Sequence, residues 1–117
     1  MDTKTKKALK KSIAHWQRLE ACTSMRDIGK EGIHCLSCAL CAMYYRAAWG
    51  DYGYPPDISD CTGCPVAEKT GRSYCKGSPY TKVLPYWFDV ESSKSKFNKS
   101  KWTALARAER KFLESLI

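Results

Sequence analysis

Six cysteines fall between positions 35 and 75 of this chain, and no other feature limits its fold so strongly. They are Cys35, Cys38, Cys41, Cys61, Cys64 and Cys75; a seventh, Cys22, stands apart. Four of them make two Cys-x-x-Cys pairs, Cys38/Cys41 and Cys61/Cys64, separated by residues 42–60. Two intervening residues let the chain turn tightly enough for both thiolates to reach one ion. Two such pairs supply four sulfurs in a tetrahedron, the closed coordination of structural zinc. Gly63 lies inside the second pair and lets backbone N–H groups turn toward the sulfurs. A chain of 117 residues buries only a modest share of its surface, so a metal staple adds what the core lacks. Much of the folding free energy would then come from the metal.

The alternative use of cysteine is a disulfide framework, which needs an oxidising compartment. The opening MDTKTKKALKK is lysine-rich with no apolar core after it, so no secretory signal peptide is expected. No run of about 18 apolar residues predicts a membrane span. A cytoplasmic protein with reduced thiols is the expectation, the host cytosol if the chain is phage encoded. Six clustered thiols nevertheless compete for four places. Cys38, Cys41, Cys61 and Cys64 can hold one zinc; Cys75, and after it Cys35, are the substitutes; or all six bind two zincs or an iron–sulfur cluster. The run Cys35, Cys38, Cys41, with Cys64 before Pro65, is similar to ferredoxin ligation, but its spacing departs from that pattern. His34 is read as a loop residue, His15 as solvated, and Cys22 as a small buried residue at a helix end.

Around this centre the chain reads as mainly α: one small helical domain over 1–117 with long loops stapled by the metal site. A basic helix is expected over 4–22, a cysteine-rich centre over 35–80 and a second basic helix over 100–117. In the first, Leu9, Ile13, Trp16 and Leu19 share a face, with Lys4, Lys7, Lys11 and Arg18 opposite. DIGKEG, residues 27–32, reads as a turn because of its two glycines. A helix is expected over 38–49 and a Gly/Pro loop over 50–60. Pro65 and Gly71 bracket a short helix. Ser78-Pro79 can start another, which Pro85 should interrupt. Residues 91–100 read as a polar linker. In the last helix Trp102, Leu105, Phe112, Leu113 and Leu116 share a face, with Arg107, Arg110 and Lys111 mostly opposite. Glu109 falls on the apolar side, where it pairs with a base of the first helix or marks a narrower face.

The order CALC…Y…CTGCPV…TG…C…PY over residues 38–80 resembles a group of small cysteine-rich proteins encoded by phages and prophages. The residues that carry it are Cys38, Leu40, Cys41, Tyr45, Cys61, Gly63, Cys64, Pro65, Thr70, Gly71, Cys75, Pro79 and Tyr80. The resemblance implies no particular activity. It places Cys75 among the patterned cysteines and leaves Cys35 outside.

Charge completes the sequence picture. The net charge of +8 is split unevenly: residues 1–30 carry eight Lys/Arg against three Asp/Glu, residues 31–90 five against six, and residues 91–117 seven against three. Basic ends suggest an acidic partner, protein or nucleic acid, or serve solubility alone. Tyr52 and Tyr54, in the Gly/Pro loop, are the aromatic candidates for contact. No Walker loop, GxSxG, HExxH or deaminase HxE/PCxxC set occurs, so the expectation is a non-enzymatic zinc protein that binds a host protein. Nucleic-acid binding through the basic helices is the alternative, and an iron–sulfur protein the third. The sequence leaves the oligomeric state open.

Overall fold

The computed structural model describes residues 1–33, 39–40, 64–72, 75 and 77–117, and among them every regular element is an α-helix. In chain order these are α1 (Thr3–Ala21), α2 (Met25–Glu31), α3 (Pro65–Thr70), α4 (Tyr80–Glu91) and α5 (Lys99–Glu114). The expected helix over 38–49 and the loop over 50–60 lie outside the described residues, except that residues 39–40 are helical.

α1, α2 and α5 each start on a side chain that satisfies an orphan N–H. Asp2 accepts from Thr5 N at 2.7 Å, Ser24 from Asp27 N at 3.2 Å, and Asn98 from Lys101 N at 2.9 Å. α3 instead begins with Pro65 at its first position and ends at Gly71, whose φ of 71° is the left-handed conformation that glycine adopts without steric cost. The sequence expectation for this helix holds.

Two breakers did not break. α2 runs through DIGKEG: Ser24 caps it, Ile28 anchors it in the core, and Gly29 points into open space. A helical glycine costs only about 1 kcal/mol against alanine, which a buried isoleucine offsets. Gly32, with φ of 79°, is where the chain turns. α4 likewise runs through Pro85. Pro85 is exposed, while Val83, Tyr86, Trp87 and Val90 are buried on the other side. Packing of that face holds the segment helical although Pro85 has no N–H to donate.

The core forms where α1 lies along α5, with α4 packed on α5 and α2 folded back on α1. Leu9, Ile13, Trp16 and Leu19 are all buried, as the spacing required. On α5, Trp102 and Leu113 are buried and Leu105 and Phe112 pack at the margin, as does Leu116 just beyond the helix. Glu109 is buried with them, so the apolar face is interrupted by a carboxyl. Trp102 is the central piece. Its Nε1 donates to the Leu19 carbonyl at 2.8 Å, and its ring packs against Tyr86 and Trp87. The Tyr86 hydroxyl ties α4 to the start of α5, accepting from Asn98 N at 2.8 Å.

Candidate metal centre

Of the predicted ligands, Cys64 is described, as is the substitute Cys75; Cys38, Cys41, Cys61 and the second substitute Cys35 lie outside the described residues. Tyr52 and Tyr54 also lie outside. Cys64 is buried and immediately precedes α3, where its carbonyl accepts from Glu68 N at 2.9 Å. Cys75 is half-buried, with φ of 60°. A non-glycine residue in that region carries a steric cost on the order of 1–2 kcal/mol, so backbone geometry alone would favour glycine there. The turn is held by Ser78, whose Oγ and N both donate to the Cys75 carbonyl, at 2.8 and 3.2 Å. No disulfide links Cys22, Cys64 and Cys75. Among the described residues no three His, Cys, Asp or Glu side chains come together as a metal-holding group.

The described segments next to the cysteines gather on one stretch of α1. Leu40, between Cys38 and Cys41 in sequence, donates its N–H to Ser12 Oγ at 3.4 Å. Ile33, just before the cysteine-rich segment, receives the Tyr80 hydroxyl on its carbonyl at 2.5 Å. Tyr80, five residues beyond Cys75, sets its ring edge-on to Trp16, with centroids 5.9 Å apart. Residues 12–16 of α1 are thus the platform on which these pieces rest.

His15 belongs to this platform, contrary to the expectation of a solvated histidine. It is only 6 % exposed, and its Nε2 lies 3.2 Å from the Glu31 carbonyl at the end of α2. The helical wheel put it beside the basic face; the return of α2 onto α1 covers it. Cys22 meets its expectation. It is buried at the end of α1, its thiol donates to the Arg18 carbonyl at 3.2 Å, and burial, then Asp27 and Glu31, push its pKa up. Burial of this kind disfavours the thiolate.

The basic positions divide into two sets. Arg18 pairs with Glu31. Arg107 and Arg110 both reach Glu20 of α1, at 3.2 and 2.6 Å, and Arg110 also meets Glu114 at 2.5 Å. The Arg110 guanidinium, with Arg107 beside it, holds the Glu20 carboxyl below its ordinary pKa. Lys4, Lys7, Lys11 and Lys111 are exposed and enter no ion pair among the described residues. Sequence reasoning missed Glu20. Its only signal was an acidic residue near the end of a basic helix, and its partners lie 87 and 90 residues away.

No helix among the described residues is long and apolar enough to cross a membrane. No protein-family model, curated protein or solved structure matches the chain.

Proposed function

We propose that this is a non-enzymatic, zinc-stapled helical module, phage or prophage encoded, that binds an acidic surface of a host protein in the host cytosol. The metal closes the fold and the lysine face of α1 makes the contact. One observation carries the binding reading: Arg18, Arg107 and Arg110 are paired with carboxylates of this chain, while Lys4, Lys7 and Lys11 stand exposed along α1. Arginine forks are the groups best suited to bases and phosphates. Unpaired lysines serve as point charges that speed encounter with an acidic patch. The zinc reading is supported by the spacing of the two Cys-x-x-Cys pairs, Cys38/Cys41 and Cys61/Cys64.

Elemental analysis of purified protein tests the first half. Zinc bound stoichiometrically and lost in Cys64→Ser, together with the thermal transition, is the expected result. A brown, iron-containing preparation would replace zinc with a cluster, and a metal-free, well-folded protein would end the proposal. For the second half, Lys4→Glu/Lys7→Glu/Lys11→Glu should keep its helicity and lose a host-protein complex that in the wild type survives nuclease. Retention on DNA or RNA at low salt, falling steeply as salt rises, would point to nucleic acid instead.

A further inference from the structure

The first half of α1 concentrates charge that its own fold does not use. Lys4, Lys6, Lys7, Lys10 and Lys11 are all exposed, and none enters an ion pair among the described residues. Asp2 accepts from Thr5 N to cap the helix, and no acidic residue stands in the first turn. Several of these lysines lie three or four residues apart, where like charges repel. Lys4 and Lys6 also stand at the positive end of the helix dipole. An arrangement that weakens the helix by itself is relieved by an anion laid across it. At one edge of the cluster, Lys6 borders an open cleft of about 860 Å³ whose apolar lining is Met1, Pro65, Leu116 and Ile117. Met1 and Ile117 are exposed, so this apolar rim faces solvent. Asp2 and Glu68 lie at the same cleft and repel any carboxylate entering it. The cleft therefore selects an uncharged, apolar group, while the lysines beside it select carboxylates.

We propose that this end of α1 binds a flexible acidic peptide segment whose carboxylates wrap the five lysines and whose adjoining apolar residue fills the cleft beside Lys6. The inference rests on the protein-binding reading above and narrows its partner from an acidic surface to an acidic segment with one apolar anchor. Shape favours a segment. At 3.6 residues per turn the five lysines fan over about 160° of the helix and about 11 Å along it. A flat surface meets only part of that arc, whereas an extended chain can follow it. The arc measures about 17 Å at the outer radius of a helix, which about five extended residues span. One carboxylate per lysine is then the natural match.

The test measures fluorescence anisotropy of two synthetic peptides against the full chain at low salt. Each carries fluorescein at one end and a run of five glutamates, followed in one by leucine and in the other by serine. The leucine peptide should bind about tenfold more tightly than the serine peptide, as expected for burial of one such side chain. Ile117→Ser, at an exposed site, should erase that preference and leave the serine peptide unchanged. Replacing the five lysines by glutamine should weaken both peptides by about tenfold or more. If that variant does not fold, the two peptides on wild type and Ile117→Ser decide by themselves. No binding of either peptide, equal binding of the two, or tighter binding of a hexathymidylate than of the leucine peptide overturns this inference. A host-protein complex that is still lost in Lys4→Glu/Lys7→Glu/Lys11→Glu then leaves the broader reading standing. Absence of that complex as well overturns both.

Discussion

Replacing Trp102 by phenylalanine is the most direct probe of how the two basic helices are joined. Trp102 is fully buried, and its Nε1 donates to Leu19 O at 2.8 Å across the α1–α5 contact. The Leu19 carbonyl also accepts from Cys22 N at 3.1 Å. Loss of the indole bond therefore leaves it still satisfied, and the cost is one net hydrogen bond, about 1 kcal/mol. The missing part of the ring removes packing against Tyr86 and Trp87, about 1–2 kcal/mol more. The sum is about 2–3 kcal/mol for Trp102→Phe; Trp102→Ala should cost about 3–5 kcal/mol. Urea unfolding followed by far-ultraviolet circular dichroism, at one fixed zinc concentration, measures both. With a slope of about 1–3 kcal/mol per molar urea, the Phe variant should lose about 0.7–3 M in midpoint with its slope unchanged. A change within about 0.5 kcal/mol, the range of ordinary surface substitutions, would refute the placement of Trp102 at the centre of the core.

Glu20 gives a pH-dependent prediction. Its carboxyl, hydrogen-bonded chiefly by Arg110, titrates below its ordinary value of 4.5 when folded. A depressed pKa stabilises the fold fully above the unfolded value, and that contribution is lost as pH falls through the folded one. Wild type should therefore exceed Glu20→Gln in urea midpoint by a constant amount above pH 4.5, and the gap should close progressively below it; a gap that does not change with pH would remove the carboxylate from the clasp. Pro85→Ala restores the N–H that α4 lacks in its interior, at an exposed site. It should raise the thermal midpoint, by up to the roughly 3 kcal/mol that separates proline from alanine in helices. A lowered midpoint would mean that the proline shapes α4 in a way the packing needs.

The separation between sequence and tertiary structure is physical. Periodicity carried the two long helices, because a buried face must recur every three or four residues: Leu9, Ile13, Trp16 and Leu19 on α1, Trp102 and Leu113 on α5. Pro65 and Gly71 marked α3, because their backbone preferences are local. Local signals misled wherever packing outweighed them, at Gly29 and Pro85, whose helices are held by Ile28 in α2 and by the Val83–Val90 face in α4. Spacing alone nominated Cys38, Cys41, Cys61 and Cys64, since the reach of two thiolates to one ion depends on the residues between them; Cys38, Cys41 and Cys61 lie outside the described residues. Only the tertiary structure could bury His15, because α2 covers it, and only it could join Glu20 to Arg107 and Arg110. Those partners meet through chain reversals that no short window of sequence records.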